Sequence, residues 1–200
     1  MILHRLMLIA DREGTNGRPL ADVIVRAANG VGGRLMVQLR DRDLGDVEVM
    51  SLIRAVQRRV PPQTVLMVNN RPDIARAIEI GLHLPAAADT PRGQYLLLGR
   101  SVHDAREADI ALGDEVDYAI VGTVFETTSH PGRVGAGLTH LSDIRALMGN
   151  IACYAIGGIT VDNAPSVIEA GAWGVAVRSA ILSADDPSEA AYRLHSSLPQ

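Results

Sequence analysis

Lysine is absent from this 200-residue chain, and arginine supplies all 19 of its basic residues. A lysine Schiff-base mechanism is therefore excluded. Any phosphate recognition by side chains must use planar guanidinium forks rather than ammonium groups. Cysteine is almost absent as well, so Cys153 has no partner within the chain for a disulfide. It lies in the apolar run Ile151–Ile156, where a buried structural thiol is expected. No stretch approaches the roughly 20 apolar residues of a membrane span. The opening MILHRLMLIADRE is interrupted by His4 and Arg5 and carries no small-residue cleavage pattern. A cytoplasmic protein is expected. The net charge of −4 gives no electrostatic reason to expect nucleic acid or an anionic membrane as partner.

What is present is apolar material, 47% of residues against 21% charged, enough for a core. One domain over residues 1–200 is expected, near the lower size limit of an α/β barrel. Apolar, β-rich runs recur along the chain with helical segments between them. They predict strands over Leu3–Ala10, Arg34–Arg40, Thr64–Val68, Leu82–Leu84, Tyr95–Gly99, Tyr118–Val121, Ala152–Ile156 and Gly174–Val177. Several are apolar on both alternating faces, as parallel strands covered inside and out must be. Leu20, Val23, Ile24 and Ala27 have helical spacing, and so do Val49, Leu52, Ile53 and Val56. Pro72 suits the first turn of a helix ended by Gly81. Thr160 is placed to cap the helix that runs through Val167 and Ile168 to about Ala170. The segment 85–93 is too short for a full helix with two loops, so the fourth helix is expected to be stunted or irregular. Eight such units predict a single closed (β/α)8 TIM barrel, with an open doubly wound sheet as the alternative.

In a closed barrel the polar residues just after strand ends converge on one face. They are Arg40, Asn69, Asn70, Ser101, His103, Thr123, Gly157, Gly158 and Ser179. Strand seven runs into Gly157-Gly158-Ile159-Thr160, and strand eight into Val177-Arg178-Ser179-Ala180. Loops after the last two strands of many barrels hold phosphate through main-chain N–H groups. Paired glycines let the backbone approach an anion, and a following helix N-terminus adds donors. An isolated glycine pair would be read as a tight turn; the matching AVRSAI segment in the next unit favours phosphate. Arg178 is open to two readings, a contact to phosphate or an ion pair at the barrel rim.

The motifs VQLRDRD at 37–43, VNNRPDIA at 68–75, LHLP at 82–85 and LLGRSVHDAREA at 97–108 occur in a recognisable order. DYAIVGTVFET at 117–127, GAGLTHLSDI at 135–144, YAIGGIT at 154–160 and GAWGVAVRSAI at 171–181 complete the series. Together they resemble the thiamine phosphate synthase and TenI superfamily over nearly the whole chain. The resemblance implies a barrel and a small phosphorylated heterocycle, a thiazole phosphate or thiamin phosphate, as ligand. It also suggests a homodimer, since barrels of this type often pair.

Two activities divide that superfamily. Synthases join an aminopyrimidine diphosphate to a thiazole phosphate and release pyrophosphate with magnesium assistance. The resemblance places their two metal aspartates at Asn70 and Ala88, with Asp89 one residue displaced. It places their Thr-x-Thr-Lys diphosphate segment at Thr127-Thr128-Ser129-His130. Neutral and apolar residues are poor magnesium ligands. TenI-like tautomerases instead relocate a proton on a carboxythiazole phosphate without a metal or other cofactor. GRSVH, FET and the LSDI segment resemble that branch more closely, although Thr123 stands where the family has its histidine. The expected activity is accordingly a metal-independent thiazole tautomerase, with the synthase and a noncatalytic binder as alternatives.

A threonine hydroxyl cannot replace an imidazole as acid–base near neutral pH. His103, beside the Thr123 loop, is the expected substitute, against a capping role for the next helix. His130 lies in the connection 122–137, which has the composition of a lid; an exposed loop histidine is the plainer reading. His83 lies within a strand, facing the barrel or a satisfied core. Arg40 ends an apolar strand and needs an anionic partner, from a ligand or from Asp41 or Asp43. Gln38, Asn69, Asn70 and Ser101 are expected to bind substrate. Gly157, Gly158, Arg178 and Ser179 are expected to hold its phosphate. Glu126 is left without a role.

Overall fold

Strands covered on both sides alternate between two apolar environments, and the strands of this protein sort their side chains accordingly. The structure, a computed structural model, describes residues 2–127 and 134–199. It contains β1 (Leu6–Ala10), β2 (Met36–Leu39), β3 (Val65–Asn69), β4 (Gly81–Leu84), β5 (Leu98–Val102), β6 (Tyr118–Gly122), β7 (Ala152–Ile156) and β8 (Gly174–Val177). Each strand pairs in parallel with the next. β8 returns to β1 through Leu6↔Val175 and Leu8↔Val177, closing the barrel. The open-sheet alternative is thereby excluded.

Inside the barrel, Met7, Ile9, Met36, Met67, Leu97, Tyr118, Ile120 and Tyr154 form one buried cluster. The two tyrosine rings meet edge to face at 5.7 Å. Gly99 faces them, and a Cβ there would lie 2.0 Å from Tyr118 Cζ. The opposite strand faces, with Leu8, Val37, Val68, Leu82, Val121 and Val175, join helix residues such as Val23, Ile24, Val49 and Ile53 in the outer core. Those helix residues come from α1 (Leu20–Gly30) and α2 (Asp46–Gln57), where the helical spacing predicts them.

The remaining connections carry α3 (Pro72–Ala77), α4 (Ala105–Gly113), α5 (Gly137–Leu147), α6 (Ala164–Glu169), α7 (Ser179–Leu182) and α8 (Pro187–Ser196). Pro72 opens α3 as expected. Gly81 does not end it: the left-handed residue after that helix is Glu79 (φ 51), and Gly81 starts β4. Thr160 is not the cap of α6 either. That position is Asn163, whose Oδ1 accepts from Thr160 N at 2.8 Å. Cys153 is buried, its thiol pushed up to about 11 mainly by burial.

The largest departure from the sequence reading concerns β5, which starts three residues later than the apolar run Tyr95–Gly99 suggests. Arg100 lies within it, its side chain fully buried. One Nη of that guanidinium donates to the carbonyls of Pro85, Ala86 and Ala88 at 2.8–3.2 Å. The other reaches Thr90 Oγ1 at 2.8 Å and Asp114 at 2.6 Å. A buried cation requires such partners. It gathers residues 85–90 into an irregular loop where the fourth helix of a regular barrel would lie.

Candidate active site

The C-terminal ends of the strands surround a cavity of about 1180 Å³. Its floor is built by alternation: Gln38 on β2, Asn69 on β3, His83 on β4 and Ser101 on β5 all face it. Gln38 Nε2 donates to Asn69 Oδ1 at 3.0 Å. That contact leaves the glutamine oxygen and the asparagine amide group available to a ligand. Asn70, next in the chain, takes a left-handed turn (φ 51) held by its N–H on His83 O at 2.8 Å.

His83 is buried. Its Nε2 lies 2.9 Å from Ser101 Oγ and its Nδ1 lies 3.0 Å from Tyr118 Oη. Burial, with repulsion from Arg40 and Arg100, lowers its pKa to about 3, so the imidazole is neutral near pH 7. Tyr118 Oη donates to Met67 Sδ at 2.8 Å. Placing β5 at 95–99 hides the contact between His83 and Ser101, because it puts Ser101 in a loop. In the observed register, Ser101 faces the interior beside the strand that carries His83.

Arg40 follows β2, half-buried at the rim. Among the described residues its guanidinium makes no ion pair and no side-chain hydrogen bond. Burial, followed by repulsion from Arg42, lowers its pKa; Arg178 adds to that repulsion and Asp11 opposes it. Asp41 and Asp43 do not neutralise it: Asp41 is held by Arg12 at 2.8 Å, which keeps its carboxyl below the usual range. Arg178 is the opposite case. Its fork grips Asp11 at 2.5 and 2.9 Å and Glu13 at 2.8 Å, so its side chain is already engaged.

Gly157 (φ 106) and Gly158 (φ 62) both need glycine. A Cβ on the first would lie 2.3 Å from Thr123 Cγ2, and one on the second 2.4 Å from Glu126 O. The pair thus lets the loop after β6 close over that after β7, with Val124 N on Ile156 O and Phe125 N on Gly157 O. The main-chain N–H groups of Gly158, Ser179 and Ala180 donate to no described residue. All three residues line the cavity.

His103, expected as the acid–base substitute, lines the cavity but is engaged by the next helix. Its Nδ1 lies 2.8 Å from Glu107 Oε2, the same oxygen that accepts its backbone N–H at 2.7 Å. Thr123 lines the cavity. His130 lies outside the described residues.

The residues at the two positions that the resemblance gives to metal aspartates do not fit magnesium. Among the described residues no three histidines, cysteines or acids gather where they could hold a metal ion. Asn70 is neutral, Ala88 offers a carbonyl already bonded to Arg100, and Asp89 is exposed and does not line the cavity. Of the carboxylates that line the cavity, Asp41, Asp46 and Asp73 are paired with Arg12, Arg71 and Arg76.

A closed (β/α)8 barrel with amide donors and a guanidinium that no described residue pairs around one rim cavity defines the class. Within it, residues 6–181 match the family described as thiamine monophosphate synthase. The chain belongs to that family. It is 40% identical to a thiamine-phosphate synthase of Moorella thermoacetica, over 89% of this chain and 88% of that one. It is 37% identical to the thiamine-phosphate synthase of Thermus thermophilus, over 98% of each. A solved thiamine phosphate pyrophosphorylase from Pyrococcus furiosus superposes with a TM-score of 0.78 at 28% identity, covering 98% of this chain and 95% of that one. These relatives overturn the tautomerase expectation, since the curated proteins at such identity are named synthases. The closer likeness of GRSVH and FET to the other branch rested on short strings that do not decide activity. Among the described residues no helix is long and apolar enough to cross a membrane.

Proposed function

We propose that the protein couples an aminopyrimidine diphosphate to a thiazole phosphate. A bond forms between the pyrimidine methylene carbon and the thiazole nitrogen. The carbon–oxygen bond to diphosphate breaks, and pyrophosphate leaves with the electron pair. The observation that carries this reading is the cavity itself. At about 1180 Å³ it exceeds the about 300–1,000 Å³ of most single-ligand pockets, and it offers anion donors at two stations. The amides of Gly157, Gly158, Arg178 and Ser179 suit a phosphomonoester at the loops after β7 and β8. The fork of Arg40, which no described residue pairs, suits the diphosphate and its developing charge. Gln38, Asn69 and Ser101 are placed to bond heterocycle edges, with Asn70 at the same rim.

One observation favours a second reading, a binder of thiamin-related phosphates: neutral Asn70 and Ala88 stand where the resemblance implies metal aspartates. Both are tested by incubating the protein with the two substrates, with and without magnesium, and measuring pyrophosphate. Release above the uncatalysed rate is expected. Tight binding of both substrates with no release sinks the coupling reading and leaves the binder.

A further inference from the structure

Four side chains are joined by successive contacts inside the barrel, Met67, Tyr118, His83 and Ser101, and the last two line the cavity. Their hydrogen bonds admit one consistent placement of protons. Met67 Sδ carries no hydrogen, yet it lies 2.8 Å from Tyr118 Oη, too close for two lone-pair atoms with no proton between them. That proton is the phenol's. With it directed at sulfur, the phenol oxygen can only accept at its other contact, 3.0 Å away, so His83 Nδ1 carries a hydrogen. A neutral imidazole has one N–H, which leaves Nε2 bare. Ser101 Oγ, 2.9 Å from Nε2, therefore donates its only hydrogen inward.

We infer that this buried relay sets the direction of the Ser101 hydroxyl, so that Ser101 offers lone pairs and no proton to the cavity and selects a ligand group that donates N–H. His83 and Tyr118 act as positioning residues; neither needs to touch the ligand. The low pKa of His83 supports the relay, because a second ring proton would abolish the acceptor that holds Ser101. Gly99 supports it sterically by leaving the Tyr118 ring room to cross the interior toward Met67. Stacking of His83 on Tyr118, with centroids 5.7 Å apart, fixes the ring that carries the two nitrogens. The ligand side of the inference rests on the proposed pyrimidine-binding role of the cavity: the exocyclic amine of an aminopyrimidine is a group of the required kind.

Two measurements test it. Nitrogen NMR of histidine-labelled protein at neutral pH should show His83 in its Nδ1–H form, assigned by the movement of its Nε2 signal in Ser101→Ala. An Nε2–H form overturns the relay. A phosphorylated 4-aminopyrimidine should then bind the wild type roughly tenfold better than its 4-methoxy counterpart, the worth of one hydrogen bond. That preference should vanish in Ser101→Ala and shrink in Tyr118→Phe, where Nδ1 loses its acceptor and the imidazole proton can move to Nε2. Equal affinity of the two pyrimidines for the wild type overturns the inference. Coupling activity without amine preference sinks this inference and spares the synthase reading. Amine preference without coupling does the reverse, and failure of either pyrimidine to bind sinks both.

Discussion

Acidifying the protein from pH 7 to pH 5 should cost the folded state about 2 kcal/mol through His83 alone. Burial, reinforced by Arg40 and Arg100, lowers this imidazole from 6.5 to about 3. In the unfolded chain it takes up a proton near its ordinary value. Between those two values the unfolded state carries one proton more than the folded state. Stability then falls by ~1.4 kcal/mol for each pH unit lost. The decline begins at about pH 6.5 and levels off near pH 3. Carboxylates that arginines hold low, such as Asp41, also weaken the fold on acidification, so the quantity to measure is a difference. Urea denaturation of wild type and His83→Gln across this range isolates it. The variant starts less stable because it disturbs the contacts to Tyr118 and Ser101, but its pH slope should be shallower. Equal slopes would refute the argument, because His83 would then take up protons alike in both states.

Three further outcomes are expected. Gly99→Ala should cost about 3 kcal/mol, since its new Cβ would lie 2.0 Å from Tyr118 Cζ and push the ring off the barrel interior; an unchanged denaturation midpoint would contradict the close fit. Arg40→Ala should weaken pyrophosphate binding by tenfold or more in calorimetric titration, by about 1.4 kcal/mol. Its stability should hold or rise, because the lost cation is half-buried and no described residue pairs it. Arg178→Ala should lower stability by on the order of 2 kcal/mol, between the values for exposed and buried pairs, by stranding Asp11 at 7% exposure. Thermal unfolding measures it, and a variant of unchanged stability that lost ligand affinity would give the side chain back to the phosphate.

The barrel was legible because strand patterning is local. Runs such as Ala152–Ile156 and Gly174–Val177 carry their character in a few consecutive residues, and both appear within the same bounds in the structure. The rim was legible for a related reason: a parallel barrel brings every strand's C-terminal end to one face, so Arg40, Asn69, Thr123, Gly158 and Ser179 gather without any knowledge of packing. The activity was not legible to the same degree. Short motifs such as GRSVH and FET pointed to a tautomerase, whereas likeness over the whole chain points to synthases.

Local residue order was thus enough for the succession of strands and helices, the glycine pair after β7 and the face on which the cavity opens. It could not say which charged or polar group is free. Arg178 and Arg40 look alike in the sequence, but one meets Asp11 from 167 residues away and the other meets nothing among the described residues. Arg100 falls just after the strand predicted over Tyr95–Gly99, yet in the structure it lies within β5, where Asp114 and three carbonyls hold its buried charge. Ser101 reads as a loop hydroxyl until Tyr118 and His83 orient it. Desolvation and hydrogen bonding depend on what surrounds a group in three dimensions, and closure of the barrel brings those neighbours together.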